Sequence, residues 1–470
     1  MCKPGEMPGQ GPDPLDRARE HARSFLAEVD RRPVAPPVDA QALYDALSHP
    51  LADEGLEPAL VIDQLARDAD PGLTATVGPR YFGFVIGGSL PAALAADWLV
   101  SAWDQNAAFY VLSPAAAAIE EVTARWLLEL LHLPADASVG FTPGAQGAIT
   151  TALAAARQHV LAKAGWDVER DGLIGAPPVS IFAGADAHAT VFRALRLLGL
   201  GSDSAVRIEA DGEGRMRPDA LREAMTSAVG PAIVCAQAGN VNTGAIDPLA
   251  EIADVCDGRA WLHVDGAFGL WAAAAPPTRP LLAGAERADS WALDAHKWLN
   301  TPYDGAIAIV AHPEAHVTAM SLAASYLATY GTQRDASNFV AESSRRARAI
   351  PIYAALRSLG RRGVADLVER TCAHARRFAE LLGADPAIEV LNDVVLNQVL
   401  VRVADDDEAT RATIAEVQRD GTCWIGGTVW QGRAAIRISV SNWATGPSDV
   451  ERSAAAILAA AGKAMAHRSG

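Results

Sequence analysis

From about residue 139 onward, short apolar segments alternate with longer segments of helical character. The apolar segments are rich in β-branched residues and cover residues 179–184, 232–236, 261–265 and 305–310. Because parallel strands must be joined by crossover connections, this alternation predicts an α/β fold with a mainly parallel, doubly wound sheet. Ligands of such sheets bind beyond the carboxyl ends of the strands, so functional side chains are expected there.

Three regions are predicted along the 470 residues, a length that favours more than one folding unit. Residues 1–75 contain a Pro- and Gly-containing lead, predicted to be disordered, followed by an N-terminal helical arm. Residues 76–345 hold the alternating segments and form the large α/β domain. Residues 346–470 combine helical and strand-like segments, which predicts a small C-terminal α+β domain.

Composition argues against several classes of partner. Forty Lys and Arg residues against fifty-six Asp and Glu residues give a net charge of −16, which disfavours nucleic acid and anionic membranes as partners. Five dispersed cysteines without a CxxC pair fit reduced thiols in a cytoplasmic protein. The N-terminus lacks the apolar stretch of a secretory signal, and no apolar segment is long enough to span a bilayer.

Three short segments that follow predicted strands carry side chains suited to ligand binding. Ala145 and Gln146 lie in a glycine-containing turn that leads into a long helix, a geometry that binds phosphate. His188 follows the strand at 179–184, and Asp265 ends an apolar strand, where a carboxylate is costly to bury without a cation or donors. Taken singly, each segment also fits a structural role.

A fourth segment, DAHKWLN, places Lys297 thirty-two residues after Asp265. The neighbouring His296 and Trp298 and the apolar residues around them argue against a lysine that is freely solvated at the surface. A partly buried amine of this kind is a candidate nucleophile for carbonyl groups. A structural lysine whose charged end reaches solvent is the alternative.

Phosphate turn, histidine, aspartate and lysine, in that order at strand ends, resemble the fold-type I pyridoxal-phosphate enzymes. Within them the chain is similar to the group II amino-acid decarboxylases, the family of aromatic-L-amino-acid decarboxylase. The likeness runs from about residue 75 to 445 and includes YFGFVIGGSLPAALAADWL, LSPAAAAIEEV, GNVNTGAID and ESSRRAR. The HVDGA and DAHKW segments are its strongest part. The resemblance implies a seven-stranded sheet and pyridoxal 5′-phosphate as the cofactor.

The resemblance also implies roles for individual residues. Lys297 would hold the cofactor as a Schiff base, Asp265 would pair with the pyridine nitrogen, and His188 would stack on the ring and take part in catalysis. The other cofactor-binding residues that it implies are Ala145 and Gln146 at the phosphate, Asn240, Asp294 and His296.

Two positions depart from the family pattern. Asp294 stands where animal members carry Asn, and a second carboxylate near a phosphate dianion is unfavourable unless it is protonated or turned away. Ile86 matches a substrate-contacting position that is Thr in the animal aromatic enzymes. The substrate is therefore predicted only as an aromatic or acidic L-amino acid, with a diamino acid still open.

The implied reaction is decarboxylation of an L-amino acid to the amine and CO2 through an external aldimine and a quinonoid. Tyr326, twenty-nine residues past Lys297 and followed by a polar stretch, is predicted to donate the proton to Cα, with Tyr330 as its competitor. A homodimer with active sites at the subunit interface is also implied. The alternatives are a decarboxylating oxidative deaminase, an aminotransferase, a carbon–carbon lyase and a non-catalytic cofactor-binding protein.

Overall fold

A seven-stranded sheet forms the centre of the computed structural model, which describes residues 12–321 and 333–466. The strands of this sheet are β1 (Ser138–Thr142), β2 (Ser180–Gly184), β3 (Ala205–Ile208), β4 (Ala232–Gln237), β5 (Trp261–Asp265), β6 (Ser290–Asp294) and β7 (Ala306–Val310). They lie in the order β1-β7-β6-β5-β4-β2-β3. β7 runs antiparallel to β1 and β6, and the other pairs are parallel. The predicted mainly parallel α/β sheet is confirmed.

Helices cover both faces of the sheet and continue into a smaller C-terminal unit. The α-helices are α1 (Pro14–Glu28), α2 (Ala40–Leu47), α3 (Pro58–Ala69), α4 (Pro91–Trp103), α5 (Pro114–Leu130), α6 (Ala145–Lys163), α7 (Val168–Asp171), α8 (Ala189–Leu197), α9 (Pro218–Ala224), α10 (Leu249–Cys256), α11 (Pro313–Met320), α12 (Ala349–Gly383), α13 (Asp407–Asp420) and α14 (Pro447–Ala466). In the described part of the chain, no helix has the length and apolar character needed to cross a bilayer.

The strands of the sheet are apolar on both faces because helices cover both. Val234 and Leu262 pack on one side of β4 and β5, whereas Ile233 and Cys235 pack on the other. This explains why β4 and β5 are continuous apolar runs in the sequence rather than alternating ones. β3 is one of the two edge strands and exposes its two middle residues, so its apolar signal is weak and the sequence did not indicate it.

The C-terminal unit contains a four-stranded antiparallel sheet. Its strands are β8 (Ile388–Val390), β9 (Gln398–Val403), β10 (Gly426–Trp430) and β11 (Arg433–Ser439), in the order β10-β11-β9-β8. The helices α13 and α14 pack on each other and enclose a separate apolar core with this sheet. The small antiparallel sheet agrees with the predicted α+β character. β11 also brings Arg437 toward the large sheet, where it donates to the backbone carbonyl of Val241 at 3.3 Å.

A buried ion pair fixes the segment that follows residue 333 against the large sheet. Arg345 donates to Glu120 at 2.6 Å, and both side chains are at most 1% exposed. The same guanidinium donates to the carbonyls of Ala107 at 2.9 Å and Phe141 at 2.8 Å. Since Phe141 belongs to β1, this network joins the segment to the sheet and to α5.

Replacing Arg345 with Met is expected to destabilise the protein strongly, because it leaves the Glu120 carboxylate buried without its partner. Loss of one member of a buried pair costs about 3–5 kcal/mol. The matched control is Arg346→Met, since Arg346 pairs with Asp97 at the surface and such pairs contribute about 0–1 kcal/mol. Urea unfolding of both variants measures the difference. Equal shifts of the two midpoints would show that the Arg345 pair has no special role.

Candidate active site

The predicted site residues meet at the carboxyl ends of the central strands. Asp265 ends β5 and Asp294 ends β6, while Lys297 lies three residues beyond Asp294. α6 begins at Ala145 directly after β1, and His188 precedes α8 after β2. The structure therefore brings all these residues to the carboxyl ends of the strands, where the sequence predicted them.

The first turn of α6 presents free backbone donors to this edge. Gly144 precedes the helix, and no side chain caps it. The Ala145 amide donates to Asp294 Oδ1 at 2.6 Å, whereas the amides of Gln146 and Gly147 have no acceptor within residues 12–321 and 333–466. Unpaired amides at a helix N-terminus form a binding site for an anionic group.

The side chain of Gln146 is only partly satisfied. Its Nε2 donates to the Thr190 carbonyl at 3.3 Å, and its contact with the Thr150 hydroxyl is 3.4 Å. Its Oε1 is buried and has no partner among the described residues. A buried polar atom without a partner is costly, so this amide is available to a ligand at the turn.

Asp294 joins the phosphate turn to the lysine. Its Oδ2 lies 2.9 Å from Lys297 Nζ, its Oδ1 accepts from the Ala145 amide, and His296 Nε2 is 3.5 Å from Oδ1. The carboxyl group is 2% exposed. The Asp294 carboxyl group therefore points toward the phosphate turn and does not avoid it. The neighbouring ammonium group and amide compensate its negative charge.

Asp265 is a buried carboxyl group with one backbone donor. Its residue is 6% exposed, and its Oδ1 accepts from the Ala267 amide at 3.1 Å. Burial raises the pKa of Asp265, whereas the nearby charge of Lys297 favours its ionised form. A cation in direct contact would stabilise the carboxylate further.

The imidazole of His188 is fixed at the start of α8. Its Nδ1 accepts from the Thr190 amide at 3.4 Å and lies 2.8 Å from the Thr190 hydroxyl. Burial lowers the pKa of His188 despite the nearby Asp265, while Lys297 and Arg437 lower it further. The ring is therefore neutral near pH 7, and a neutral flat ring can stack on another aromatic ring.

His296 and Asn240 have most of their polar atoms committed to the protein. His296 Nδ1 accepts from the Gly305 amide at 3.2 Å, and burial lowers the pKa of this imidazole. Asn240 Oδ1 accepts from the amides of Asn242 and Thr243, and its Nδ2 donates to the Asp186 carbonyl at 3.3 Å. Asn240 thereby ties the loop after β4 to the loop that carries His188.

The loop that carries Ile86 packs directly on the lysine turn. A Cβ atom on Gly87 would lie 1.9 Å from the Lys297 carbonyl oxygen, so only glycine permits this approach. Phe84 and Val85 adopt positive φ angles of 52° and 60° in the same loop. This contact brings the loop of the half-buried Ile86 against the lysine turn, although more than two hundred residues separate the two segments in sequence.

An aromatic wall, formed by Phe84, Trp424 and Tyr303, was not predicted from the sequence. The ring of Trp424 lies 5.4 Å from that of Phe84 and stacks on Tyr81 at 4.9 Å. Tyr303 lies 4.3 Å from the His296 ring, and Asp294 and Tyr81 act electrostatically on its phenol. Phe84 and Tyr303 are 63% and 60% exposed in the single chain. Large exposed rings beside a polar site are typical of ligand contacts.

Gly83 is the residue that lets the Trp424 ring of the aromatic wall pack closely on the loop of Phe84. A Cβ atom at this position would lie 2.0 Å from the indole of Trp424, so a larger residue would displace that ring. Trp424 comes from the C-terminal unit, more than three hundred residues away. Its approach could not be inferred from either segment alone.

Arg437 is a second site residue that the sequence analysis missed. Apart from its bond to the Val241 carbonyl, its guanidinium has no carboxylate within ion-pair distance in the described part of the chain. It is half-buried, and its charge reaches His188. An unpaired, partly buried guanidinium favours binding of a carboxylate ligand.

Tyr326 and Tyr330 lie outside the described residues, so the structure does not position the predicted proton donor.

Comparison with known proteins agrees with this arrangement. Residues 45–404 match the model of the pyridoxal-dependent decarboxylase conserved domain. The chain belongs to this family. The decarboxylase is 29% identical to aromatic-L-amino-acid decarboxylase of Bacillus atrophaeus, with 88% of this chain and 85% of the relative covered. It is 30% identical to L-2,4-diaminobutyrate decarboxylase of Rhizobium meliloti, with 88% and 83% covered.

Solved structures show the same fold. The decarboxylase superposes on Oryza sativa TDC, whose crystal structure contains PLP and tryptamine, with a TM-score of 0.90. The two chains are 25% identical, and 96% of this chain and 97% of the other are covered. Pyridoxal phosphate is the cofactor of this carboxy-lyase. The free amides of α6 suit its phosphate, and the buried Asp265 suits its cationic ring nitrogen.

Proposed function

We propose that this decarboxylase removes the α-carboxylate of an aromatic L-amino acid and releases the amine and CO2. The observation that supports the aromatic class is the aromatic wall of Phe84, Trp424 and Tyr303. Phe84 belongs to the loop whose Gly87 contacts the Lys297 backbone, and Tyr303 lies against the His296 ring. The family relationship supports a pyridoxal-phosphate-dependent carboxy-lyase, but it leaves open both the substrate class and whether the product is an amine or an aldehyde.

In this proposal the residues at the strand ends bind and orient the cofactor. The amides of Gln146 and Gly147 would bind the phosphate, Lys297 would hold the aldehyde carbon, and His188 would stack on the ring. When bound, pyridoxal phosphate supplies an aldehyde that condenses with amines and a protonated ring that accepts the electron pair left by CO2. Asp265 would keep the proton on the ring nitrogen.

Asp294 and His296 would adjust the lysine and the phosphate turn. Asp294 holds the ammonium group of Lys297 at 2.9 Å, which fixes its position before it reacts. Because Asp294 also occupies the Ala145 amide, we infer that the phosphate binds chiefly to the other amides of the turn and to Gln146. His296 fixes the turn at Gly305 and contacts Tyr303. Asn240 would act through the loop that positions His188.

The substrate would lie between the cofactor ring and the aromatic wall. Its side chain would contact Phe84, Trp424, Tyr303 and Ile86, which together offer rings and an aliphatic group but no cation. An acidic side chain would lose its hydration there without gaining a partner, whereas an aromatic ring would stack. Arg437, whose guanidinium has no carboxylate partner among the described residues, would bind the α-carboxylate. The tryptamine bound to Oryza sativa TDC is consistent with this class of substrate.

A substrate panel tests the proposal. We expect kcat/KM for L-tryptophan, L-tyrosine or L-phenylalanine to exceed that for L-glutamate, L-aspartate and L-2,4-diaminobutyrate by about 100-fold or more, corresponding to ~3 kcal/mol of differential binding. Amine and CO2 are measured together and should form in equal amounts. Preference for an acidic or diamino substrate would refute the aromatic assignment. Aldehyde and peroxide as main products would identify a decarboxylating oxidative deaminase instead.

A variant of the wall makes this test more specific. Trp424→Leu should lower kcat/KM for the preferred aromatic substrate by about tenfold or more, because ring stacking contributes about 0.5–1.5 kcal/mol beyond the lost apolar area. The matched control is Trp166→Leu, since Trp166 lies on the surface near α7, where its indole donates to the Gly172 carbonyl. Equal losses in both variants would exclude Trp424 from the substrate pocket.

We also propose that the protein is a homodimer. None of the residues of α1 or α2 is buried in the single chain, although this arm contains the exposed apolar side chains of Leu15, Tyr44 and Leu51. An arm that buries so little apolar surface by itself gains stability by covering a second copy. Light scattering is expected to give twice the chain mass of 49.2 kDa, and removal of residues 1–75 should yield monomers or aggregates. A full-length monomer at micromolar concentration would contradict the proposal.

A further inference from the structure

A second cleft lies at the amino ends of β4, β5 and β6, whereas the cofactor site lies at the carboxyl ends of the central strands. It has a volume of about 520 Å³, within the usual range for small-molecule sites. It is lined by the end of α6, the starts of β4 and β5, and the residues just before β6 and α11. β5 carries Trp261 at its amino end and Asp265 at its carboxyl end, roughly 13 Å apart for five strand residues. The cleft is therefore separate from the active site.

Three aromatic rings form the centre of this cleft. The imidazoles of His159 and His312 stack with centroids 4.8 Å apart and an interplanar angle of 26°. Trp261 lies beneath them, at 5.1 Å from His159 and 5.0 Å from His312, and is 2% exposed. Burial lowers the pKa of His159, and Lys163 and His312 lower it further, so this ring is neutral near pH 7. A neutral, half-exposed ring offers a stacking surface.

Two cations at the rim of the cleft lack carboxylate partners. Neither Lys163 nor Arg259 lies within ion-pair distance of an acidic side chain in residues 12–321 and 333–466. A third cation, Arg287, is already paired with Asp254 at 2.7 Å. The net charge of −16 repels anions overall. Two positive charges without carboxylate partners at one cleft can nevertheless attract an anion locally.

Neither acidic residue of the cleft, Asp257 or Asp289, lies within ion-pair distance of Lys163 or Arg259. Asp289 uses Oδ2 to accept from the Leu262 amide at 2.7 Å and Oδ1 to pair with His312 Nε2 at 2.7 Å. Asp257 lies at the rim and acts on Arg287. The arrangement thus combines a stacking surface, a partly apolar floor and two available cations.

We propose that this cleft binds a planar heteroaromatic ring that carries an anionic group, the chemistry of a nucleoside monophosphate. The ring stacks beside His159 and His312, and the anion pairs with Lys163 and Arg259. Charge-assisted bonds to an anion are stronger than neutral ones, and the ring provides the apolar contact that phosphate alone lacks.

Calorimetric titration of the cofactor-loaded protein with adenosine 5′-monophosphate tests the proposal, since bound cofactor blocks the active-site phosphate turn. We expect saturable binding of one molecule per chain, weakened by at least about tenfold in Lys163→Ala/Arg259→Ala. His159→Ala should weaken adenosine and the monophosphate alike. The matched control is Arg222→Ala/Arg376→Ala, which removes two exposed arginines on α9 and α12 and should bind as the wild type does.

Three results would overturn the proposal. The first is absence of binding at millimolar monophosphate. The second is unchanged affinity in the Lys163→Ala/Arg259→Ala variant when its thermal unfolding matches that of the wild type. The third is inorganic phosphate binding as tightly as the monophosphate, which would reduce the cleft to a simple anion site without a role for the rings.

Discussion

Lys297→Ala is expected to abolish decarboxylation and the yellow colour of the purified protein. The substitution removes both the amine that we propose to hold the cofactor and a group that could move protons at the reacting carbon. General acid–base catalysis by one side chain contributes about 10²–10⁴-fold, so loss of both roles should lower the rate by about 10³-fold or more. Amine production and the visible absorption spectrum measure the two effects.

The matched control for Lys297→Ala is Lys463→Ala. Lys463 lies on the exposed face of α14 and pairs with Glu416 on α13 at 2.8 Å. It should retain both the colour and the activity. Retention of colour and turnover in Lys297→Ala would show that another amine holds the cofactor, and the proposed site would then be wrong.

Asp265→Asn is expected to retain the cofactor but lose about 100-fold or more in turnover. The amide has nearly the shape of the carboxylate, so the fold and the bond to the Ala267 amide can persist. An uncharged group cannot hold the ring-nitrogen proton electrostatically. Each ~1.4 kcal/mol of lost transition-state stabilisation costs tenfold in rate, and a charge-assisted contact contributes several kcal/mol.

The comparison of rate and cofactor affinity decides the role of Asp265. Single-turnover kinetics of Asp265→Asn should show slow chemistry with nearly normal cofactor binding. If instead the variant decarboxylates at the native rate, the ring nitrogen does not depend on this carboxylate. If the variant binds the cofactor weakly but reaches the native rate when saturated with it, Asp265 positions the cofactor and does not act in the reaction.

The central part of the fold was predictable because its signals are local. Strands such as β4 and β5 are continuous apolar runs, and they end at side chains that parallel topology must bring to one edge. Sequence order together with the family resemblance therefore predicted Asp265 and Lys297 as parts of one site. β3 was missed because an edge strand that exposes two of its four residues carries little apolar signal.

The parts of the site that were missed depend on contacts between distant segments. Trp424 and Arg437 come from the C-terminal unit and reach the site only through the packing of its sheet against the large domain. The position of Asp294 between Lys297 and the Ala145 amide likewise requires three elements to meet. Residue type indicated that its carboxylate would need compensation but not which groups would provide it.

Reduction of the cofactor-loaded protein with borohydride, followed by peptide mass spectrometry, would identify the lysine that holds the cofactor. The sequence contains four lysines, Lys3, Lys163, Lys297 and Lys463, so the label has few places to lie. We expect the reduced cofactor on the peptide that contains Lys297, in close to one copy per chain, and we expect prior addition of the substrate amino acid to diminish this label. A stoichiometric label on any other lysine, with Lys297 unmodified, would contradict the proposed active site.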